Sequence, residues 1–216
     1  MSQKIQGDDV EIWHDHWGRD DTPWNLEGPH PYLVDLYDFA RHDGQFKDHA
    51  KVLVPGCGHG HDAKAFALWG AQVVGQDIVP KAIERAKELG QVPGLSFEVG
   101  DALVVKPQEQ QAFDAIYDRA FLCAIPPKAR RLYLEQCAKK LKGEGLFLGI
   151  LFSKTSEDSG PPFEISIEAL MSLIDGLFTF ATIQERPPAH KSRVILQEGL
   201  VVLKKCKEQV AHDEDL

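Results

Sequence analysis

The chain of 216 residues carries 33 acidic and 24 basic side chains, which gives a formal net charge of −9 at pH 7. Two classes of partner, nucleic acids and anionic membrane surfaces, are disfavoured because their negative charge would repel this chain. Its length suits one domain that buries a core without disulfides or metal ions, and a small molecule is the partner that we expect.

Cysteine spacing and hydropathy bear on the cellular compartment. The four cysteines show no C-x-x-C spacing, and the sequence opens without an apolar signal segment. No apolar run approaches the ~20 residues that a membrane helix needs. We therefore expect a monomeric protein of the reducing cytoplasm, with no membrane and no nucleic acid among its partners.

From residue 50 onward, short β-branched or apolar runs alternate with segments of helical periodicity, a pattern typical of a parallel α/β sheet. The last two strands are joined by the short turn "RPPAHKS", which predicts an antiparallel pair at the sheet edge. Strands are predicted at residues 50–56, 71–78, 95–101, 113–118, 143–152, 177–185 and 193–203. Helices are predicted at 61–70, 80–90, 126–142 and near 167–173, and the end of the chain is expected to fray.

The segment "KVLVPGCGHGHD" leads the first predicted strand into three glycines at alternate positions, Gly56, Gly58 and Gly60. A strand, a glycine turn and a helix start leave backbone amides open to a ligand that approaches closely. In open parallel sheets, ligands bind outside the carboxyl ends of the strands, where this turn lies. A tight turn with no ligand explains the glycines equally well, so other residues must decide.

Asp77 ends the second predicted strand, 21 residues after Gly56. An acid at about this offset hydrogen-bonds the ribose of an adenosine cofactor, although a turn or helix-capping aspartate is the alternative. The dinucleotide fingerprint G-x-G-x-x-G is not matched, because His61 stands in its third glycine position, and no P-loop Gly-Lys-Ser or Gly-Lys-Thr follows. NAD and nucleotide phosphates are therefore disfavoured, and S-adenosylmethionine is the cofactor that we predict.

Two further places at the carboxyl edge support this cofactor. Asp101 and Ala102 follow the third strand, where a carboxylate can accept a hydrogen bond from an adenine amino group. Arg119 follows the fourth strand, near the expected reacting end of the cofactor. Arg119 could bind the cofactor's carboxylate, bind an anionic substrate or pair with Asp118, and the three roles stay open.

Three tryptophans, Trp13, Trp17 and Trp24, lie close together in the polar segment ahead of the first strand. Trp13 and Trp17 are four residues apart and share a face if the segment is helical. Aromatic faces attract a sulfonium cation by about 0.5 to 2 kcal/mol. A helix docked on the core is the alternative, and a lid that packs and covers satisfies both.

The histidines and cysteines form no catalytic pattern. His14 with His16 and His59 with His61 each stand two apart, but no third ligand is in register, so no metal site is predicted. The cysteines of the glycine turn and of the "AFLCAIPP" segment have no histidine placed to activate them. We expect both to be packing residues.

Several segments together resemble the thiopurine S-methyltransferase superfamily, including its thiol and halide methyltransferase branch. They are "WHDHW", "TPWNL", "LVPGCGHGHD", "VVGQDI", "YDRAFLCAIPPKARRLY" and "SGPPFEIS", which together span nearly the whole chain. "TPW" and "PGCG" are similar to the thiol/halide branch, whereas "YDRA" and "ERPPAHKSR" are similar to the thiopurine enzymes. The branch therefore stays open.

The resemblance implies an α/β fold of the Rossmann-like class I methyltransferase type: a seven-stranded, mostly parallel sheet with an antiparallel edge strand and an N-terminal lid. A single methyltransferase domain would span 1–216, with the lid and a helix at 1–45, the core at 46–205 and a tail at 206–216. By resemblance, S-adenosylmethionine would contact Trp13, Trp17, Trp24, Gly56, Gly58, Asp77, Asp101, Ala102 and Arg119.

The resemblance also implies methyl transfer to a small soft nucleophile, a thiol or thiopurine sulfur. A sulfonium methyl is already activated, so positioning and exclusion of water carry the reaction without a strong general base. Arg119 is the catalytic candidate, and with Arg186 it would favour an anionic sulfur or halide, while Phe163 walls the substrate pocket. The alternatives are a halide or a selenium or tellurium acceptor, and a module that binds S-adenosylmethionine without turnover.

Overall fold

A computed structural model describes residues 7–42, 46–156, 160–190 and 194–207 of the chain. Most of the tail predicted at 206–216 lies outside these residues, as do parts of the predicted lid and of the "RPPAHKS" turn. No helix in the described ranges combines the length and the apolar character that crossing a membrane requires.

Strands and helices alternate along the described chain as the sequence predicts. The strands are β1 (Lys51–Pro55), β2 (Gln72–Asp77), β3 (Leu95–Val99), β4 (Phe113–Arg119), β5 (Leu141–Thr155), β6 (Phe178–Arg186) and β7 (Ile195–Lys205). The helices are α1 (Gly7–Gly18), α2 (Leu33–His42), α3 (His61–Leu68), α4 (Pro80–Lys87), α5 (Phe121–Ala124), α6 (Pro127–Lys140) and α7 (Ile167–Ile174).

The strands form one sheet in the order β3-β2-β1-β4-β5-β7-β6. Strands β1 to β5 pair with one another in parallel, and β7 is antiparallel to both β5 and β6. The predicted antiparallel pair at the sheet edge is confirmed, with β7 lying between β5 and β6. Because the order reverses between β1 and β4, a crevice opens at their carboxyl ends.

Both faces of the sheet are covered, as a parallel sheet requires. On β1, Val52 and Val54 pack on one face with α2 and α3, and Leu53 packs on the other with α6 and α7. This alternation follows from the two-residue period of a strand. Because apolar side chains fill the layers on both faces of the sheet, polar residues can gather at its carboxyl edge.

Two differences from the prediction have local causes. The predicted helix at 126–142 ends at Lys140, because Leu141 already pairs with Phe113 as the first residue of β5. The short helix α5 follows Ala120, whose backbone takes the left-handed conformation at φ 60°. Its N-terminal amides are capped by the carboxylate of Asp118, a contact that sequence periodicity does not reveal.

Candidate active site

A cavity of about 360 Å³ lies at the carboxyl ends of β1, β2 and β4. Its lining runs from Asp77 at the end of β2 to Phe152 in β5 and Ile195 at the start of β7. A smaller recess of about 40 Å³ adjoins it and is lined by Asp101 and Ala102. The two spaces share the walls formed by Trp13, Gly56, Ile78, Phe121, Ala124 and Ile125. The crevice of the sheet is thus an elongated site with room for a ligand of nucleoside size or larger.

The glycine turn after β1 forms one wall of the cavity. Gly56, Gly58 and Gly60 have φ values of 58°, 52° and 80°, a region that side chains other than glycine rarely adopt. A Cβ on Gly56 would lie 2.3 Å from the ring of Phe121, and one on Gly60 would lie 2.6 Å from Phe97. At Gly58 the nearest atoms are 3.8 Å away. Close packing therefore requires the outer two glycines, whereas a Cβ on Gly58 would be in ordinary contact with Trp17 and Trp24.

Asp77 connects the end of β2 to this turn. Its Oδ2 accepts a hydrogen bond from the amide of Gly58 at 3.0 Å, and its Oδ1 accepts one from the amide of Val79 at 3.0 Å. The residue is 9% exposed and lines the cavity, and burial raises the pKa of its carboxyl group. The carboxylate therefore serves as a turn aspartate, and its unused lone pairs face a site that a sugar hydroxyl could reach.

Asp101 and Ala102 lie on the loop after β3 and line the recess. Asp101 Oδ1 accepts a hydrogen bond from the amide of Leu103 at 2.8 Å, which fixes the loop locally. The carbonyl of Ala102 accepts a hydrogen bond from the buried Lys140 ammonium at 3.4 Å. The predicted adenine site is therefore a separate compartment next to the glycine turn.

The three tryptophans converge on the cavity, as the sequence suggests. The ring centroid of Trp24 lies 5.4 Å from that of Trp13 and 6.2 Å from that of Trp17, with edge-on geometry in both pairs. Trp17 is 3% exposed and packs on Val79 and Ala82, so its helix is docked on the core. Both predicted roles, core packing and an aromatic wall, are compatible with this arrangement.

Arg119 lines the cavity at the end of β4. Its Nη2 donates a hydrogen bond to the carbonyl of Trp24 at 2.9 Å, so the guanidinium connects the core to the N-terminal aromatic segment. Of the three roles left open, pairing with Asp118 is not the one adopted, because the carboxylate of Asp118 binds the amides of Phe121 and Leu122. The other guanidinium donors have no partner among the described residues and could bind an anionic group in the cavity.

The other two predicted substrate residues do not line the cavity. Phe163 packs beside Arg130, and its amide donates to the carbonyl of Cys123 at 2.7 Å. Arg186 pairs with Asp35 at 3.5 Å and lies over the ring of Tyr32. Their substrate-binding roles stay predictions, and both have partners outside the cavity.

Four histidines line the cavity: His16, His59, His61 and His190. Burial lowers the pKa of His59, His61 and His190, so the neutral imidazole is favoured at pH 7. In the sequence, His59 and His61 form a pair in the glycine turn, and His190 stands in a polar turn. No local signal distinguishes these three from solvated histidines. Within the described ranges no three metal-binding side chains come together.

The cysteine thiols are unsuited to nucleophilic catalysis. Burial raises the pKa of Cys123 to about 12 and also raises that of Cys57. A protonated thiol is a poor nucleophile, so any covalent role would be opposed by this environment.

Solved structures share this fold. The N-methyltransferase NodS of Bradyrhizobium japonicum, solved with S-adenosylhomocysteine, matches with a TM-score of 0.71 at 15% identity, over 92% of this chain and 99% of that one. A Burkholderia thailandensis 1,6-didemethyltoxoflavin-N1-methyltransferase matches with a TM-score of 0.70 at 18% identity, over 96% and 94% of the two chains. The fold is thus that of the Rossmann-like methyltransferases.

Sequence comparisons are more specific than the fold. Probable thiol methyltransferase 2 of Arabidopsis thaliana is 34% identical over 72% of this chain and 67% of its own length. Thiocyanate methyltransferase 1 of the same plant is 31% identical (84% and 79%), and thiopurine S-methyltransferase of Pseudomonas fluorescens is 27% identical (89% and 94%). The family model described as thiopurine S-methyltransferase matches residues 8–211. The chain belongs to the thiopurine S-methyltransferase family and is an S-adenosylmethionine-dependent S-methyltransferase, as the resemblance predicts.

The residues present fit the cofactor that this family uses. The glycine turn, the carboxylate of Asp77 in the cavity wall and the recess at Asp101 suit the parts of an adenosyl group. The indole rings suit a sulfonium. Which of these residues contact S-adenosylmethionine stays a prediction.

Removal of the Arg119 side chain is expected to weaken cofactor binding. In the Arg119→Ala variant the Trp24 carbonyl loses its donor, and we expect affinity for S-adenosylhomocysteine to fall by about tenfold or more. Isothermal titration calorimetry measures this directly. Arg131→Ala is the matched control, because Arg131 also donates to backbone carbonyls, those of Leu173 and Asp175, away from the cavity. If the Arg119→Ala variant keeps both the wild-type affinity for S-adenosylhomocysteine and the wild-type methylation rate, Arg119 has no role in binding or catalysis.

Asp118 provides a prediction about pH. The residue is fully buried behind α5, and burial raises its pKa to about 6. As pH rises, this carboxyl group ionises in the unfolded chain at a lower pH than in the folded protein. The free energy of unfolding therefore falls as pH rises from the unfolded pKa to about 6. Relative to Asp118→Asn, which does not titrate, the wild type should lose about 1 to 2 kcal/mol of unfolding free energy between about pH 5 and 7.5. Urea unfolding of both proteins across this range checks the slope, and a pH-independent difference contradicts the shifted pKa.

Proposed function

We propose that this enzyme methylates the sulfur of a small thiol or thiopurine that binds at the β5 and β7 end of the cavity. The observation that carries the proposal is the asymmetry of the lining. One end holds the glycine turn and Asp77, and the other holds the apolar side chains Phe152, Pro161 and Ile195, with Arg119 between them. An apolar wall next to a guanidinium suits the hydrocarbon part and the sulfur anion of a thiolate. The names of the thiol and thiopurine methyltransferase relatives point to the same acceptors.

The chain's own residues would act by binding and by excluding water. When bound, S-adenosylmethionine supplies a methyl group on a positively charged sulfur. Asp77 would hold the sugar, the recess at Asp101 would hold the base, and the indole rings would cover the charged end. Because Trp17 is docked on the core, the aromatic wall is already ordered, which lowers the cost of positioning the reactants.

A strong protein base is not part of this proposal. A thiol in water ionises with a pKa near 8.5, and aromatic or heterocyclic thiols ionise more readily, so thiolate is available at neutral pH. Arg119 would favour the anion over the thiol, because a cation close to the sulfur stabilises the charged form. The buried cysteines of the chain do not compete as acceptors, because burial keeps Cys123 protonated.

Inorganic anions are the second candidate class of acceptor. The thiocyanate methyltransferase relatives and the free donors of Arg119 favour it. Selenium and tellurium species are softer variants of the same chemistry. Membership of the family leaves no support for a module that binds the cofactor without turnover.

Phe163 and Arg186 would act on the substrate indirectly. Phe163 follows Pro161 and Pro162, which line the cavity, and would hold that wall through its bond to Cys123. Arg186, at the end of β6, would hold the connection to β7 through Asp35.

The remaining expectations are proposals of the same kind. We place the enzyme in the cytoplasm, since all four cysteines are free. We also propose that it acts as a monomer, with one domain at 1–216 that comprises the lid segment at 1–45, the core at 46–205 and the tail at 206–216.

The test combines binding with a screen of acceptors. Calorimetry with S-adenosylhomocysteine should show one site, and mass spectrometry should show methylated products from thiophenol and from a thiopurine. Iodide and selenite are the comparison acceptors, and we expect them to be slower. Cofactor binding without any sulfur product, or faster methylation of iodide than of both thiols, would contradict the proposed acceptor.

A further inference from the structure

A group of four buried polar side chains lies beside the cavity, which one of them, Asp62, also lines, and the function proposed above gives it no part. Glu198 and Tyr117 are 0% exposed, His30 is 2% exposed and Asp62 is 8% exposed. His30 Nε2 lies 3.3 Å from Glu198 Oε1, and the backbone amide of His30 donates to Asp62 Oδ1 at 2.6 Å. The hydroxyl of Tyr117 donates to the other oxygen of Asp62 at 3.3 Å. Burial of four polar groups is costly unless each is hydrogen-bonded, so these contacts need a structural reason.

The group holds the connection between β6 and β7. Glu198 Oε2 accepts a hydrogen bond from the amide of Ala189 at 3.2 Å. The hydroxyl of Tyr32 donates to the carbonyl of Pro187 at 3.0 Å. Residues on both sides of Pro188 are therefore attached to the core, and the next side chain along the chain is His190.

His190 lines the cavity on its β7 side. None of the hydrogen bonds between described residues comes from its ring, and Nδ1 is shut off from solvent without a partner. Nε2 is not shut off in this way, so it is the nitrogen that a ligand can reach. Pro187 and Ala189 are thus held by hydrogen bonds to Tyr32 and Glu198, and the next side chain, His190, presents an imidazole without a partner among the described residues to the predicted acceptor end.

The protonation of His190 follows from this environment. Burial lowers its pKa, as do the charges of Arg119 and His30, and these outweigh the opposing effect of Glu198. The neutral ring carries one proton, and the buried Nδ1 has no partner among the described residues in either tautomer, whether as a donor or as an acceptor. The tautomer is therefore decided at Nε2, where an anionic ligand beside Arg119 favours the ring that carries its proton on Nε2 and donates it to the cavity.

We propose that His190 is a specificity residue that donates a hydrogen bond from Nε2 to the anionic atom of the methyl acceptor, beside Arg119. This inference rests on the proposed function and adds a second donor to its acceptor site. The acceptor enters as a preformed anion, and the proton of a thiol leaves to solvent before binding. A neutral donor next to a guanidinium selects thiolates and inorganic soft anions over neutral nucleophiles such as amines.

Substitution of His190 by glutamine or by asparagine tests whether its ring acts as a hydrogen-bond donor or as a proton acceptor. The side-chain nitrogen of glutamine can occupy the place of Nε2, whereas that of asparagine can occupy only the place of Nδ1. We expect His190→Gln to bind thiocyanate, in the presence of S-adenosylhomocysteine, within about threefold of the wild type. His190→Asn and His190→Ala should bind it about tenfold more weakly. Calorimetry gives these affinities without any turnover.

Kinetics with thiophenol supply the second readout. The ratio kcat/KM should rise with the ionisation of the thiol in solution, and His190→Gln should keep the same pH profile as the wild type. His42→Asn is the control, because His42 is an exposed histidine at the end of α2. Equal cofactor affinity in all variants verifies that they are folded at the site.

The outcomes are distinguishable. If His190→Asn and His190→Ala bind thiocyanate as the wild type does, the proposal is wrong. It is also wrong if His190→Gln loses the pH-dependent rise, because His190 would then be a proton acceptor. If the wild type binds S-adenosylhomocysteine but methylates no sulfur, the proposed function fails, whereas the thiocyanate affinities still decide the role of His190.

Discussion

The hydrogen bond between the buried carboxylate of Asp77 and the amide of Gly58 is the interaction on which the site depends. It joins the end of β2 to the glycine turn after β1, and so fixes the wall of the cavity at the point where the order of strands reverses. The turn needs left-handed backbone at alternate residues, and only glycine takes that conformation at little cost. A buried carboxylate that accepts two backbone amides satisfies donors that the turn would otherwise leave without partners.

The aromatic wall depends on a second set of contacts, all of them between distant parts of the chain. Asp20, just after α1, pairs with Lys81 at 2.9 Å and with Arg85 at 3.2 Å, and so attaches the N-terminal segment to α4. The hydroxyl of Thr22 lies 3.1 Å from His59 in the glycine turn. Together with the bond from Arg119 to the Trp24 carbonyl, these contacts place the indole rings above the same turn that Asp77 fixes.

The fold and the glycine-turn end of the cavity could be predicted because their signals are local. Strand and helix periodicity, the three glycines and the acid at the end of β2 all lie within short segments whose geometry follows from the fold class. The contacts at the other end of the cavity could not be predicted in this way. The partner of Arg119 is a backbone carbonyl 95 residues earlier in the chain, and Glu198 meets His30 across 168 residues.

His190 and Arg186 show why residue type alone does not predict which side chains reach the cavity. His190 stands in a turn of ordinary polar composition, and nothing in the sequence shows that buried side chains fix the residues before it. Arg186 carries the charge expected of an anion-binding residue, but its place at the edge of the sheet brings it to Asp35 and Tyr32 instead of the cavity. Residue type and spacing indicate chemistry, whereas long-range packing decides which of these side chains meet.

The most direct test of the account is the affinity of the Asp77→Asn variant for S-adenosylhomocysteine. Asparagine keeps the size of the side chain and one carbonyl acceptor but loses the charge and the second acceptor. We expect calorimetry to show affinity at least about tenfold weaker than in the wild type, because hydrogen bonds to charged groups contribute about 1.5 to 3 kcal/mol. Glu88→Gln, at an exposed carboxylate after α4, should leave it unchanged. Equal affinity of the Asp77→Asn variant and the wild type would contradict the claim that this carboxylate holds the cofactor.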